Sequence, residues 1–254
     1  MWGGLSALSG VNIKKDYPWL LGPIAHRGLL GPGLVENTLP GFARCAEHRC
    51  PMELDVHLSR DGVPMVFHDD DLKRMFSRPE RPEDLTAEEL KSLTLPGGFR
   101  IPTLSEVFAV VNGAVGILIE LKQANGKMVG PLEEILAGMV KDYGGPVAVE
   151  SFNPLSVRYA KRYMPHVPSG LLSGWDFSAP PNWFYDLVAR NLWHMFLAKA
   201  DFIAYEYKDV DRKKLQNYRK KGMPILAYTI MDEAAEKKTA PYVDGFIFQD
   251  YYAI

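Results

Sequence analysis

Two acidic residues alternate with apolar ones in a short run near the start of the chain. Glu53 and Asp55 lie in the segment Met52-Glu-Leu-Asp-Val56, which has the pattern of a β-strand. Because successive side chains of a strand point to opposite faces, these two carboxylates share one face. Ordinary core packing does not favour that arrangement, whereas a divalent cation with hard oxygen ligands relieves the repulsion. The spacing therefore indicates a cation site.

A hairpin is expected directly after this acidic strand. The pair Asp61-Gly62 separates two strand-like runs and is typical of a two-residue turn. With such a turn Arg60 pairs with Val63, and His68 lies directly opposite Asp55, with the two Cβ atoms about 5 Å apart. We therefore expect His68 at the rim of the carboxylate site, close enough to move protons beside a metal without having to ligate it.

Eight apolar runs with the character of buried strands recur along the chain, if the second strand of the hairpin is left out. They alternate with amphipathic segments, and this alternation predicts a parallel sheet covered by helices. Eight such units close naturally into a TIM (β/α)8 barrel, here with a β-hairpin and a short insertion after the second strand. The strands are expected at residues 24–26, 53–56, 116–121, 147–150, 170–172, 202–205, 225–228 and 245–248.

The helices between these strands are marked by amphipathic patterns and by two capping boxes. Thr86 with Glu89 is expected to open a short helix in the insertion, and Thr103 with Glu106 the helix before the third strand. The other helices are expected at residues 38–49, 129–143, 155–163, 210–221 and 232–238.

A barrel of this kind carries its chemistry at the C-terminal ends of its strands. His26 ends the first strand, and Glu120 with Lys122 ends the third. Glu120 could complete an oxygen cage with Glu53 and Asp55, while Lys122 faces the same opening and could bind an anion there. Taken singly, each of these residues fits a structural role such as a salt bridge at a strand end. Their joint placement favours a catalytic site.

Length and composition indicate one enzyme domain. The chain has 254 residues, of which 47% are hydrophobic, enough for the large core of a barrel. We predict a single domain over residues 1–254, with an N-terminal extension over 1–22 and a small insertion over 69–102. The net charge of −2 excludes a general attraction to nucleic acid.

The cysteines and the apolar segments bear on the compartment. Cys45 and Cys50 match neither a zinc pair nor a redox motif, so we expect two reduced, buried thiols in a cytoplasmic protein. The N-terminus does not begin with a basic stretch, and no span reaches the ~20 apolar residues that a bilayer requires, so neither secretion nor membrane spanning is expected. The short patch at residues 19–21 could make a peripheral lipid contact. His48, His57, His166 and His194 are assigned structural roles.

Five motifs in the first 70 residues together resemble the signature of the glycerophosphodiester phosphodiesterase family, within the phospholipase C-like phosphodiesterases. The resemblance implies a metal-dependent barrel that splits glycerophosphodiesters into glycerol 3-phosphate and an alcohol. It extends over most of the chain, most strongly over residues 24–72 and 101–122. The motifs are Ile24-Ala-His-Arg-Gly28, Glu36-Asn-Thr38, Glu53-Leu-Asp55, Arg60-Asp-Gly-Val63 and His68-Asp69.

The resemblance also implies roles for individual residues. The metal is expected to be calcium or magnesium, and the substrate a small glycerophosphodiester. Val35, Tyr228 and Gln249 stand where the family commonly has Pro, Trp and Thr, which bears on substrate preference more than on activity. The implied set is Glu53, Asp55 and Glu120 as metal ligands, His26 and His68 as general acid and base, Arg27 and Lys122 as the phosphate clamp, and Phe152 and Tyr228 on the pocket wall.

Two alternatives stand beside this interpretation. A lysophospholipid or phosphoinositide-type phosphodiesterase on the same barrel is suggested by the aromatic residues after the fifth strand, among them Trp175, Phe177 and Phe184. The same aromatic residues also suit a helix packed on the barrel. A non-catalytic phosphate-binding barrel is the second alternative. It has no need of paired proton-transfer groups such as His26 and His68.

Overall fold

A computed structural model describes residues 11–122, 129–174, 190–251 and 253 of the chain. Each of the eight predicted strands overlaps a strand of the structure. The ninth strand, β3, belongs to the hairpin. The strands are β1 Pro23–Ala25, β2 Met52–Leu58, β3 Pro64–Val66, β4 Ile117–Leu121, β5 Val147–Ser151, β6 Ser169–Ser173, β7 Phe202–Glu206, β8 Ile225–Ile230 and β9 Gly245–Phe248.

The strands form one sheet whose order confirms the predicted fold class. The order is β1-β9-β8-β7-β6-β5-β4-β2-β3, and β1 pairs in addition with β2. Eight strands therefore close into a parallel (β/α)8 barrel, and β3 runs antiparallel to β2 as an extra strand. Four of the eight barrel strands, β4 to β7, are buried along their whole length, as expected for a parallel sheet covered by helices.

The predicted helices are present, with ends that differ by a few residues. Both predicted capping boxes form, because Thr86 and Thr103 each accept a hydrogen bond from the backbone N–H three residues on. In the described part of the chain, no helix is long and apolar enough to cross a membrane. The helices are α1 Ile13–Asp16, α2 Leu39–Glu47, α3 Lys73–Phe76, α4 Ala87–Ser92, α5 Leu104–Val111, α6 Pro131–Tyr143, α7 Pro154–Tyr163, α8 Met195–Ala198, α9 Lys213–Lys220 and α10 Glu233–Thr239.

Backbone contacts divide the chain into two compact units. Of the described residues, one unit comprises those within 25–147 and contains β2, β3 and β4; the other comprises those within 148–254 together with residues 11–24 and contains β6 to β9. In the second unit the N-terminal segment lies against β9. The Phe246 N–H donates to the Gly22 carbonyl at 3.1 Å, and only glycine fits at 245, since a Cβ there would collide with the Leu20 carbonyl.

The predicted hairpin register is wrong by one residue. The structure pairs Val56 with Val66 and His57 with Met65. Phe67, and not His68, therefore lies opposite Asp55, and the Phe67 N–H donates to the Asp55 carbonyl at 3.0 Å.

The reason for the shift is a three-residue loop in place of the two-residue turn. Ser59 pairs with Val63, its N–H donating to the Val63 carbonyl at 3.0 Å, so residues 60–62 form the loop. The Ser59 hydroxyl donates to Asp61 at 2.7 Å and accepts from the Val63 N–H at 2.9 Å. Gly62 adopts a left-handed conformation with φ of 82°, as expected for the last residue of such a loop.

The insertion over residues 69–102 forms a small core of its own with the hairpin. It contains α3, α4 and two short 3-10 segments, Pro82–Asp84 and Pro96–Gly98. This core anchors the loop that follows His68. Its buried residues are Met65, Phe67, Leu72, Leu85, Leu90, Leu95 and Ile101.

The two cysteines are free and buried, as predicted. Burial raises the pKa of the Cys50 thiol to about 11, so this thiol is held in its neutral form. Cys45 accepts a hydrogen bond from the Leu29 N–H at 3.0 Å, which joins α2 to the loop after β1.

Candidate active site

The loop after β1 is folded tightly enough to present two adjacent functional side chains. Arg27 and Gly28 both have positive φ angles, 55° and 93°. At Gly28 a Cβ would come within 3.2 Å of the Gly41 backbone in α2, so glycine permits both the conformation and the close approach. Asn37, also left-handed, donates its N–H to the Arg27 carbonyl at 3.0 Å. His26 and Arg27 are thereby fixed at the end of β1.

The three predicted metal ligands meet in one buried cluster. Glu53 and Asp55 lie on β2, and Asp55 is the register partner of Glu120 on the parallel strand β4. Each of the three side chains offers a carboxylate oxygen, and these oxygens all lie within 4.8 Å of one another. The shared face of β2 and the neighbouring strand end therefore bring the carboxylates together.

Two cations contact the same cluster. Lys122 Nζ lies 3.0 Å from Asp55 Oδ1 and 2.7 Å from Glu120 Oε1. The Nε atom of Arg27 lies 3.4 Å from Asp55 Oδ2, and the Arg27 backbone N–H donates to Glu53 at 3.0 Å. Three carboxylates thus face two cationic side chains, one of which, Arg27, also pairs with Glu36.

The pKa values reflect this crowding. Burial alone would raise the pKa of Asp55, but the charges of Lys122, His68, Arg27 and His26 hold it well below its ordinary value. Glu120 behaves in the opposite way: burial, supported by the negative charge of Asp55, raises its pKa in spite of Lys122. Further positive charge beside Glu120 would therefore favour the ionised form of this carboxylate.

The donor set fits a hard divalent cation. Asp55 Oδ1 is buried and accepts no well-directed hydrogen bond among the described residues, although the Lys122 ammonium lies 3.0 Å from it. The other Asp55 oxygen is oriented by Asn37, whose side-chain N–H donates to it at 2.8 Å. Carboxylate oxygens are the ligands that Ca²⁺ and Mg²⁺ prefer, and a ligand held by its neighbour is characteristic of metal sites.

The two predicted proton-transfer histidines lie beside the cluster. His26 Nε2 is 3.9 Å from Glu53 Oε2. His68 Nδ1 is 2.7 Å from Asp69 Oδ1, and the charge of His68 acts on Asp55. Both rings are partly exposed, at 16% and 32% of the side chain, so a substrate can reach them. His68 therefore stands at the rim of the site even though its predicted cross-strand partner is wrong.

The structure adds residues to the site that carried no predicted role. Asn37 belongs to the motif Glu36-Asn-Thr38, and its side-chain hydrogen bond to Asp55 gives this motif a structural role in the site. His57, predicted to be structural, is fully buried; its Nδ1 lies 2.6 Å from Glu83, and its Nε2 faces the His68 carbonyl at 3.4 Å. Glu83 belongs to the insertion, where no sequence pattern marked it.

The buried His57–Glu83 pair should make a measurable contribution to stability. Replacing Glu83 with leucine leaves a buried imidazole nitrogen without its partner, and we expect a loss of about 1–3 kcal/mol in the free energy of unfolding, measured in urea. Glu88→Gln changes an exposed acid five residues further along, in α4, and should stay within ~0.5 kcal/mol of wild type. Equal stability of the two variants would contradict the role of the pair.

The predicted pocket-wall residues lie in the second unit. Phe152 and Tyr228 meet edge to face, with ring centroids 6.1 Å apart, and the Tyr228 hydroxyl donates to the Ser173 carbonyl at 2.9 Å. Their contact with substrate stays a prediction. The aromatic segment with Trp175, Phe177 and Phe184 lies outside the described residues. The hypothesis that it forms a lipid-binding mouth therefore stays a prediction.

A parallel barrel that carries buried carboxylates, with His26 directly after β1 and His68 close behind β3, has the architecture of an enzyme active site. Comparison with known protein families identifies the class of enzyme. The model of the glycerophosphoryl diester phosphodiesterase family matches residues 26–251. The chain belongs to this family and is a phosphoric diester hydrolase.

Individual relatives agree with the family match. A glycerophosphodiester phosphodiesterase from Caldanaerobacter subterraneus subsp. tengcongensis is 31% identical over 89% of this chain and 93% of its own length. An Oleispira antarctica phosphodiesterase, solved in complex with the product sn-glycerol-3-phosphate, is 26% identical with a TM-score of 0.74, over 91% of this chain and 94% of that one. A glycerophosphodiester phosphodiesterase from Thermotoga maritima is 27% identical with a TM-score of 0.67, over 89% and 93% of the two chains.

Proposed function

We propose that the protein hydrolyses glycerophosphodiesters to glycerol 3-phosphate and an alcohol, with a divalent cation held by Glu53, Asp55 and Glu120. The observation that carries the proposal is the buried cluster of three carboxylates, whose ligating oxygens all lie within 4.8 Å of one another. The product bound to the Oleispira antarctica relative supports the same substrate class.

The three carboxylates would hold Ca²⁺ or Mg²⁺. Such an ion, when bound, supplies positive charge to a phosphate oxygen and lowers the pKa of a coordinated hydroxyl. Asn37 would keep Asp55 in its ligating orientation through the 2.8 Å hydrogen bond. Arg27 would serve the same site twice, because its backbone N–H holds Glu53 and its guanidinium supplies charge for the phosphate.

Arg27 and Lys122 would clamp the phosphate. In the structure both cations rest against carboxylates of the cluster, Lys122 at 3.0 Å and 2.7 Å from its two partners. Although burial alone would lower it, the charges of Asp55 and Glu120 raise the pKa of Lys122 above its ordinary value, so the side chain stays an ammonium. A charged Lys122 can exchange a carboxylate oxygen for a phosphate oxygen when substrate enters.

His26 and His68 would move the protons. One histidine takes the proton from the glycerol hydroxyl next to the phosphoester. The oxygen of that hydroxyl then attacks phosphorus. The P–O bond to the alcohol breaks, and the other histidine gives a proton to the departing oxygen. Water then opens the resulting cyclic phosphate with the histidines in exchanged roles, which yields glycerol 3-phosphate and regenerates both side chains.

Turnover of glycerophosphocholine tests the function directly. We expect choline and glycerol 3-phosphate to appear in the presence of Ca²⁺ or Mg²⁺, and turnover to cease in excess chelator and return when either ion is added back. The product pair reports which P–O bond is cleaved. Phosphocholine and glycerol as products, or full activity in chelator, would contradict the proposal.

A further inference from the structure

Arg74 connects two acidic residues that are 33 positions apart in the sequence, Glu36 and Asp69. It lies in α3 of the insertion, outside every motif of the sequence. Its guanidinium donates to Asp69 through Nε at 2.6 Å and through an Nη atom at 3.0 Å. The same Nη atom also donates to Glu36. A planar guanidinium can hold two carboxylates in fixed directions in this way, whereas the ammonium of a lysine is a point charge.

Each of these two acids holds a proposed working group of the site. Asp69 Oδ1 lies 2.7 Å from His68 Nδ1. Glu36 accepts a hydrogen bond from an Nη atom of Arg27 at 3.1 Å. The side chains therefore form a continuous chain of hydrogen bonds that runs from the histidine to the phosphate clamp, with Arg74 at its centre.

The charges in this chain reinforce one another. Although burial would raise it, hydrogen bonds from His68 and Arg74 lower the pKa of Asp69, so the acid stays ionised. An ionised Asp69 accepts the Nδ1–H of His68 and leaves Nε2 of that ring for the reacting oxygen. Glu36 lies 3.1 Å from an Nη atom of Arg27, while Asp55 Oδ2 lies 3.4 Å from Nε of the same guanidinium.

We propose that Arg74 is a positioning residue that fixes the orientation of His68 and of Arg27 together, so that proton transfer and phosphate binding are set by one side chain of the insertion. The proposal rests on the proposed function, because it assigns both groups to the same reaction. It predicts that loss of Arg74 acts on two kinetic constants at once, although the side chain itself touches neither group.

Four single variants separate the effect of Arg74 on His68 from its effect on Arg27. Asp69→Asn should lower kcat with little change in KM, since it frees His68 alone, and Glu36→Gln should raise KM through Arg27. Arg74→Met should do both, each by ~10–100-fold, the range for removal of a group that orients an active residue. Arg74→Lys keeps the charge but not the planar fork, so it should recover only part of the loss.

Arg78→Met is the matched control. Arg78 lies four residues further along the insertion and pairs with Glu80. This variant should keep kcat, KM and the melting temperature of wild type. If Arg74→Met leaves kcat and KM within about twofold of wild type, the positioning role is wrong.

A double variant tests whether Arg74 acts through Asp69. The kcat of Arg74→Met combined with Asp69→Asn should equal that of Asp69→Asn alone, because both changes break the same support of His68. Losses that multiply would overturn the proposal, since Arg74 would then act by another route.

A spectroscopic measurement keeps the inference separate from the activity itself. Imidazole ¹⁵N spectra, with His68→Ala to assign the ring, should show a changed His68 signal in Arg74→Met and an unchanged one in Arg78→Met. A His68 signal that is identical in wild type and Arg74→Met would overturn the proposal. Absence of glycerophosphocholine turnover by the wild type would instead refute the proposed function and leave this spectral test valid.

Discussion

Asp55→Asn is expected to lower metal-dependent turnover of glycerophosphocholine by about 10²-fold or more, because a bound cation contributes several kcal/mol to the stabilisation of transition-state charge. The substitution keeps the shape of the side chain, and its oxygen can still accept the Asn37 hydrogen bond. Lys122 keeps Glu120 as a partner and Arg27 keeps Glu36. We therefore expect the variant to fold.

Metal binding can be measured apart from turnover. A ligand that binds only the native state at 100 times its Kd stabilises it by about 2.7 kcal/mol, so Ca²⁺ or Mg²⁺ should raise the melting temperature of the wild type. This increase should vanish in Asp55→Asn and in Glu120→Gln. The matched control Asp211→Asn alters an exposed acid and should keep it. A full metal-induced increase in Asp55→Asn would show that Asp55 is not a ligand.

The barrel strands were predictable because burial on both faces produces short, nearly continuous apolar runs. β4 and β5 are examples: all five residues of each strand are buried. The acidic pair was predictable for the opposite reason, since Glu53 and Asp55 interrupt such a run at a spacing that places both carboxylates on one face. Their meeting with Glu120 followed from strand-end placement in a barrel.

The hairpin register was not predictable from the turn residues alone. Asp61-Gly62 suits a two-residue turn and also the end of a three-residue loop that closes on a left-handed glycine. The choice depends on the Ser59 side chain, which bonds to Asp61 and to the Val63 N–H. Side-chain bonds of this kind shift a register by one residue without changing the turn motif.

Two supporting residues of the site, Arg74 and Glu83, had no sequence signal because their contacts join distant positions. Arg74 meets Glu36 across 38 residues of chain, and His57 meets Glu83 across 26. Neither Arg74 nor Glu83 belongs to a periodic pattern, so an arginine and a glutamate in a polar insertion look like solvated surface. Only the folded insertion brings them to His68 and its neighbours.

His26→Ala and His68→Ala are each expected to lower kcat by ~10²–10⁴-fold, the usual contribution of a positioned general acid or base. Neither side chain belongs to the carboxylate cluster, so the metal-induced increase in melting temperature should remain. His166→Ala, which removes an exposed imidazole, is the matched control and should keep wild-type kcat. If His68→Ala instead abolishes the metal-induced increase, His68 is a ligand and its proton-transfer role is wrong.

A change of leaving group identifies which histidine acts as the acid. A glycerol phosphodiester of 4-nitrophenol releases a stable anion, so its cleavage needs no proton at the departing oxygen, whereas cleavage of glycerophosphocholine does. The variant that lacks the acid should therefore lose ~10²-fold or more on glycerophosphocholine and little on the nitrophenyl substrate. The variant that lacks the base should lose activity on both, because the attacking hydroxyl still has to give up its proton. Equal losses of both variants on both substrates would contradict separate acid and base roles for His26 and His68.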